Sequence, residues 1–166
     1  RLVSMAQDLD EHEVAIAALR RAREVMPGDM ELFSQLEKEL EQGGRWLDLV
    51  ELLSEKREHV WEGPAKRLVL LRGAEILTDT LHDDAGAVEW LEAASGLVPD
   101  DQETIDRLAS VYTRLERWSD LAQLLQMKRQ SLSGQAAERV SVDLVTVYVE
   151  RMGDLAQGFQ VLTELV

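Results

Sequence analysis

The stretch GGRWLDLVELLSEKR, residues 43–57, returns as LERWSDLAQLLQMKR at residues 115–129. Both copies contain the pattern R-W-x-D-L-x-x-L-L-x-x-K-R, and the second copy begins 72 positions after the first. A phrase that recurs at a fixed distance indicates an internal repeat, and the repeat determines the architecture before any single element does. The fold must therefore be built from at least two copies of one unit.

The repeat extends well beyond this phrase. Residues 27–78 align with residues 99–150 without a gap. A third, partial copy precedes them, because LDEHEVAIAALRRAREVMP at 9–27 matches LHDDAGAVEWLEAASGLVP at 81–99. Three copies in one phase predict that each copy supplies the apolar surface on which its neighbour packs.

Each unit divides into two helical hairpins. Apolar residues between 32 and 40 recur with the spacing of an amphipathic helix. Gly43-Gly44 is predicted to end this helix, since glycine adopts the left-handed conformation without strain. Trp46 and Trp118 then open the second helix of the hairpin, and we predict that they fill the joint between helices.

One segment allows two interpretations. Residues 140–149, VSVDLVTVYV, alternate and are β-branched, which alone favours a β-strand. Their place in the repeat aligns them with LVLLRGAEIL, which has a helical pattern. Because a single strand would have no partner in a helical array, we predict a helix.

Composition narrows the class of protein. The 166 residues are 45% hydrophobic and 30% charged, with 32 acidic against 18 basic side chains and a net charge of −14. Such a chain should fold, and it should repel nucleic acid and anionic lipid. It has no cysteine and no apolar run long enough to span a membrane. The composition looks bacterial and the default location is cytoplasmic, although a chain that begins at Arg1 could have lost an N-terminal signal.

Candidate catalytic groups are sparse. His12 and His82 are predicted to lie in acidic turns between helices, which could hold a divalent cation through oxygens and imidazole. We favour the alternative that the acidic residues cap the next helix, because their spacing matches no known metal loop. No serine has the context of a nucleophile, and no glycine-rich phosphate loop occurs. We therefore predict no enzymatic activity, no metal and no cofactor.

Several motifs resemble the tetratricopeptide repeat (TPR). The pattern I-x-x-L-A-x-x-Y at 105–112 is similar to the first helix of that repeat, and A-x-x-x-L-x-x-A…P at 15–27 and 87–99 is similar to its second helix. The resemblance implies an all-α, right-handed α-solenoid of stacked antiparallel helical hairpins, with a HAT-like solenoid as the structural alternative. It implies one repeat domain over residues 1–166, with these hairpins: about 1–26, 27–63, 64–98, 99–134 and 135–166.

The resemblance also indicates where a partner would bind. In that family the first helices of the hairpins line a concave groove that takes a peptide or a partner helix. The corresponding residues here are Glu31, Ser34, Lys38, Val69, Arg72, Ile76, Glu103, Asp106, Ser110, Arg114, Val140, Asp143 and Val147. The acidic members, and the lack of an asparagine, predict that the family's carboxylate clamp is absent. The groove should suit a basic, partly apolar segment, unless these residues are ordinary solvated helix faces.

The last residues predict a second surface. The segment GFQVLTELV forms an apolar helix in which Phe159, Leu162 and Leu165 make a candidate end interface. We expect the chain to be a segment of a longer array, in which a further repeat covers this apolar helix. Alternatively, a homodimer through the terminal helices would cover it. The predicted function is a non-enzymatic protein–protein interaction scaffold. The alternative is a structural or assembly segment that self-associates or continues through its open terminal helices.

Overall fold

The computed structural model describes the backbone of residues 2–164 and the side chains of residues 11–164. The α-helices in that range are α1 (Leu2–Val25), α2 (Met30–Gln42), α3 (Trp46–His59), α4 (Gly63–Glu75), α5 (Asp84–Leu97), α6 (Gln102–Arg114), α7 (Trp118–Ser131), α8 (Gly134–Thr146) and α9 (Leu155–Thr163). A π-helical turn, Ile76–Thr80, follows α4, and another, Val147–Arg151, follows α8. No β-strand occurs among the described residues. The all-α prediction is confirmed, including a helical conformation at 140–149.

A repeated aspartate starts the first helix of each 72-residue unit. Asp29 Oδ1 accepts hydrogen bonds from the backbone N–H groups of Glu31 and Leu32 at 2.8 and 3.2 Å. Asp101 Oδ2 accepts one from the N–H of Thr104 at 2.9 Å. The first N–H groups of a helix have no partner within it, and these bonds satisfy some of them. The aspartates are therefore the N-caps of α2 and α6.

The phrase Arg-Trp-x-Asp-Leu begins α3 and α7. Arg45 forms an ion pair with Asp48 at 2.6 Å, and Arg117 forms one with Asp120 at 2.7 Å. Both aspartates lie in the first turn, where the helix dipole favours negative charge. The leucines that follow are buried, and they are Leu49, Leu52, Leu53, Leu121, Leu124 and Leu125. The repeated phrase thus sets both the start of the helix and the side that faces the core.

The repeated tryptophans are less buried than predicted. Trp46 and Trp118 begin their helices, but both remain partly exposed and neither fills the joint completely. A tryptophan side chain is large and is seldom fully enclosed. Each also lines an open cleft, Trp46 together with Gly44 and Leu81, and Trp118 together with residues of α6 and α8.

The chain forms two compact units, Arg1–Asp83 and Asp84–Val166. In each unit, helices that are adjacent in sequence pack on one another, and the π-helical turn packs with the unit's own helices. The most deeply buried large side chains of the first unit are Phe33, Leu36, Leu40, Leu49, Leu53, Leu70 and Ile76. Those of the second unit are Leu91, Thr104, Val111, Ser141 and Leu144. The single-domain organisation stays a prediction.

The first helix differs from the expectation of a hairpin at 1–26. Residues 2–25 form one continuous helix, so His12 lies within α1 and not in a turn between helices. The segment contains neither glycine nor proline, and acidic residues alone do not end a helix. His12 Nδ1 is instead 2.7 Å from Glu39 Oε2 on α2.

The spacing between equivalent residues of the two copies becomes one residue shorter at one loop. Helices α2 and α6 begin 72 residues apart, whereas α4 and α8 begin 71 residues apart, at Gly63 and Gly134. The preceding loop spans residues 60–62 in the first copy but only residues 132–133 in the second. The gap-free alignment is therefore one residue out of register beyond α7.

Candidate functional site

The aliphatic members of the predicted groove are buried. They are Val69, Ile76, Val140 and Val147. Their side chains are pure hydrocarbon, so removing them from water is favourable and they join the core. Val147 still lines the cleft described below, whereas Val69, Ile76 and Val140 do not, and we leave these three out of the candidate surface.

The polar members of the predicted groove are exposed or partly exposed. They are Glu31, Ser34, Lys38, Arg72, Glu103, Asp106, Ser110, Arg114 and Asp143. Some are already paired: Glu103 lies 3.1 Å from Arg107, and Asp106 lies 2.6 Å from Lys128. A carboxylate that is neutralised by a neighbouring cation attracts a basic partner less strongly.

The structure brings Ser110, Asp143 and Val147 together in one cleft of the second unit. The cleft has a volume of about 340 Å³ and is lined by residues of α6, α7, α8 and the π-helical turn that follows α8. Helix α7 contributes its apolar floor, which consists of Trp118, Leu121 and Leu125. The sequence had not assigned these residues to a binding surface.

Hydroxyl groups stand on both walls of the cleft. Thr113 Oγ1 on α6 donates to the carbonyl of Ala109 at 2.7 Å, and Thr146 Oγ1 on α8 donates to the carbonyl of Val142 at 2.9 Å. Because each hydroxyl proton is used within its own helix, the oxygens are left as hydrogen-bond acceptors. Both threonines line the cleft.

The cleft also contains two charged groups. Asp143 is exposed and forms no ion pair or hydrogen bond with the side chains that the structure describes. The guanidinium carbon of Arg151 lies 5.3 Å from the centre of the Trp118 ring, in a cation–π contact. Asp143 and Arg151 line the same cleft without pairing with each other. The cleft therefore offers one negative and one positive group to an incoming molecule.

The first unit fills the corresponding place with its own side chains. Arg72 on α4 donates to Glu41 on α2 at 2.6 Å and to Glu75 at 3.2 Å. Partial burial lowers the pKa of Arg72, but the hydrogen bonds and charges of Glu75 and Glu41 outweigh that effect and the pKa is raised. We call Glu41, Arg72 and Glu75 the latch.

In the second unit the latch positions hold different residues. With the one-residue shift after α7, Asp143 stands where Arg72 does, and Thr146 stands where the latch has Glu75. Thr113 stands at the position of Glu41, since α2 and α6 are 72 residues apart. The same place in the repeat is thus bridged by ion pairs in one copy and left open in the other.

No metal site emerges from the described side chains, residues 11–164. They contain no group of three or more histidine, aspartate or glutamate residues placed to hold a metal ion. His82, the other candidate, adopts a left-handed backbone conformation with φ of 54° at the turn before α5.

The predicted end interface is partly described. Phe159 and Leu162 on α9 are 69% and 46% exposed, and Leu165 lies outside the described residues. The equivalent residues of α5, Val88 and Leu91, are only 5% and 1% exposed. One face of α9 is therefore apolar and uncovered where the same face of α5 is buried.

Comparison with solved structures supports the fold. Over 93% of its length the chain resembles the crystal structure of MamA protein, covering 80% of that chain with a TM-score of 0.52 and 15% identity. It also resembles the TPR-like repeats of a Podosopora anserina protein described as a kinesin light chain, with 98% and 89% coverage, a TM-score of 0.54 and 14% identity. The protein has a TPR-like helical-repeat fold, in agreement with the resemblance seen in the sequence.

Other comparisons add no identification. No protein-family model matches the chain, and no curated protein matches it. Among the residues that the structure describes, none of the helices combines the length and apolar character needed to cross a membrane.

Proposed function

We propose that this protein is a non-enzymatic interaction scaffold that binds a peptide or helix of a partner protein, with the cleft of the second unit as its main contact surface. The open cleft is the observation that carries the proposal. It combines an apolar floor with a few polar groups on its walls, which is the usual composition of a binding site.

The size of the cleft favours a segment of a larger partner. Its volume of about 340 Å³ is at the small end of the range for ligand pockets, so it accommodates an anchor residue and little more. Peptides and helices bind in this way, with one or a few side chains inserted and the remainder lying on the surface. The exposed polar residues of α6, such as Ser110, would contact that remainder.

The fold supports a role without catalysis, because TPR-like folds are generally scaffolds and not enzymes.

A latch graft provides a direct test. The variant Thr113→Glu, Asp143→Arg, Thr146→Glu places the three latch residues of the first unit in the cleft of the second. Its net charge is unchanged, because replacing Asp by Arg adds two charges and the two new glutamates subtract two. A random dodecapeptide library displayed on phage would be selected on the wild-type chain, and the enriched peptides would then be measured on both proteins by fluorescence anisotropy.

We expect enriched peptides to bind the wild-type chain and to lose at least about ten-fold in affinity on the latch graft, since the inserted ion pairs occupy the anchor site. Circular dichroism would confirm that the graft is folded. Peptides that bind both proteins equally, or a selection without enrichment, would remove the cleft as the binding site.

Self-association through α9 is a second candidate function, supported by the exposure of Phe159 and Leu162. A second copy of the chain, or a further repeat, would bury this face as the equivalent face of α5 is buried. Light scattering over a range of concentrations would compare the wild-type chain with Phe159→Glu, Leu162→Glu. A dimer that becomes a monomer in the variant supports assembly, and a monomer in both cases excludes self-association through this face.

A further inference from the structure

We propose that the partner inserts an arginine side chain into the cleft, with its guanidinium against Asp143 and the two threonine hydroxyls. The proposal rests on the proposed function, because it specifies what the cleft of the second unit binds. It derives from the comparison between the two copies of the repeat.

The latch shows what this place in the repeat holds when it is filled. In the first unit the guanidinium of Arg72 donates to two carboxylates. One belongs to Glu41 on α2 and the other to Glu75, one turn after Arg72 on α4. In the second unit the corresponding acceptors are the oxygens of Thr113 and Thr146. The guanidinium is missing there, because the residue at the position of Arg72 is Asp143.

Because Asp143 replaces the arginine of the first unit, a cation at this position of the second unit would have to come from a partner. Asp143 adds a third acceptor to the two hydroxyl oxygens, and no described cation neutralises it. The second unit thus keeps the acceptors of this place in the repeat and lacks the donor that the first unit supplies internally. A guanidinium from a partner would complete the arrangement, because it can donate two parallel hydrogen bonds to a carboxylate and others to neighbouring oxygens.

The rest of the lining favours arginine over a simple point charge. Leu121, Leu125 and Val147 are mostly buried, and the small part of each that stays exposed lines the cleft, where a hydrocarbon stem can contact it. A guanidinium is more weakly hydrated than an ammonium, so it enters such a surface at a lower desolvation cost. Arg151 already lies over the face of Trp118 and repels a second cation there, so the acceptors left to an incoming guanidinium are Asp143 and the threonine oxygens.

Peptides selected from the dodecapeptide library test the proposal. We expect an arginine at a fixed position next to an apolar residue. Asp143→Asn, a nearly isosteric change, should weaken binding of such a peptide by about ten- to a hundred-fold, the effect of losing one hydrogen-bonded charge pair. Replacing the arginine of the peptide with citrulline, which has the same shape without the charge, should weaken binding to the wild-type chain by a similar factor. The citrulline peptide should then bind Asp143→Asn and the wild-type chain with equal affinity.

The outcomes separate this proposal from the proposed function. If enriched peptides lose affinity on the latch graft but bind Asp143→Asn as tightly as wild type, the arginine pairing is wrong and the cleft remains a binding site. The same conclusion follows if citrulline replaces arginine without loss. If no peptide distinguishes wild type from the latch graft, the proposed function itself fails. Asp100→Asn is the matched control, because it removes the same charge from an exposed aspartate in the loop before α6 that does not line the cleft.

Discussion

Arg72 and Asp143 occupy the same position in two copies of one repeat and carry opposite charges. Arg72 links α4 to α2 through Glu41 and also pairs with Glu75. Asp143 forms no such link with the described side chains and faces an open cleft. The same position of the repeat thus carries an interhelical ion pair in the first unit and lines an open cleft in the second.

The latch should contribute modestly to stability. Because the two ion pairs of Arg72 are solvent-exposed, each contributes about 0.2–1 kcal/mol, so Arg72→Gln should lower the free energy of unfolding by about 0.4–2 kcal/mol. Asp143→Asn should change it by less than about 0.5 kcal/mol, as expected for a surface residue without partners. Urea denaturation followed by circular dichroism would measure both variants.

Salt provides the control for the latch. Exposed ion pairs are screened at high ionic strength, so the difference between wild type and Arg72→Gln should shrink when the measurement is repeated in 1 M sodium chloride. A difference that persists at high salt would mean that Arg72 stabilises the unit through the packing of its aliphatic stem, and not through the latch.

Turn residues with a left-handed backbone give a second prediction about stability. Gly44 and Glu116 end the first helix of equivalent hairpins, and both have positive φ, 67° and 55°. A side chain in this left-handed conformation costs about 1–2 kcal/mol, part of which is recovered because it restricts the unfolded chain. We therefore expect Glu116→Gly to raise the free energy of unfolding by about 0.5–1 kcal/mol, and Gly44→Ala to lower it by a similar amount.

His82 and Gly153 also occupy equivalent positions, in the turns before α5 and α9, and both have positive φ, 54° and 69°. His82→Gly should therefore stabilise the protein as Glu116→Gly does. If both glycine substitutions destabilise it, side-chain contacts of His82 and Glu116 outweigh the backbone strain. Urea denaturation of the three variants, Glu116→Gly, Gly44→Ala and His82→Gly, would decide between these cases.

Much of the fold follows from local features of the sequence. The N-cap aspartates and the phrase Arg-Trp-x-Asp-Leu define where helices begin, because their interactions involve residues only a few positions away. The one-residue register change could not be predicted in the same way. Ala65 and Ala137, and likewise Arg67 and Arg139, are identical at a spacing of 72, so the gap-free alignment seemed continuous beyond the loop that shortens it.

The candidate site was harder to predict, since it depends on how three helices pack. Of the groove residues that the family pattern predicted, Ser110 and Asp143 are exposed, whereas Val69 and Ile76 are buried in the core. The role of Trp118 as a cleft floor had no signal in the repeat, because Trp46 has the same sequence context. Of the three residues that differ between the copies, Asp143 and Thr146 lie far from the tryptophan in sequence, on the next helix.

A substitution at Gly158 would test how closely α9 packs against the π-helical turn that precedes it. A Cβ atom added at Gly158 would lie 2.6 Å from Val149 Cγ2 in the π-helical turn, which is too close for normal contact. Val149 is β-branched and has little freedom to move aside. Gly158→Ala should lower the free energy of unfolding by about 1 kcal/mol, because overpacking of about 1–3 kcal/mol exceeds the gain in helix propensity.

Gly96 in α5 is the matched control for Gly158. A Cβ atom added there meets no other atom within 4 Å, so Gly96→Ala should show only the propensity gain of up to about 1 kcal/mol. Opposite signs for the two substitutions in thermal or urea denaturation support the close approach of α9 to the turn. Equal stabilisation by both would mean that α9 and Val149 separate at little cost.

The tyrosine of α6 predicts a response to alkaline pH. Tyr112 is buried and its hydroxyl donates to Glu92 Oε1 at 2.8 Å. Burial, followed by the hydrogen bond and charge of Glu92, raises the pKa of Tyr112 above its ordinary value. The unfolded chain, in which tyrosine has a pKa of about 10, therefore loses this proton before the folded chain does. The stabilisation from Tyr112 is complete below pH 10 and is lost as the pH rises above that value.

Comparison with Tyr112→Phe isolates this effect, since other titrating groups change both proteins alike. At pH 8 the wild-type chain should be more stable by about 0.5–1.5 kcal/mol, the contribution of one hydrogen bond, and at pH 11 the difference should narrow or reverse. Glu92→Gln keeps an acceptor but removes its charge, so its stability should fall less between pH 8 and pH 11 than that of wild type. A gap between wild type and Tyr112→Phe that stays constant from pH 8 to pH 11 in urea denaturation would contradict the raised pKa.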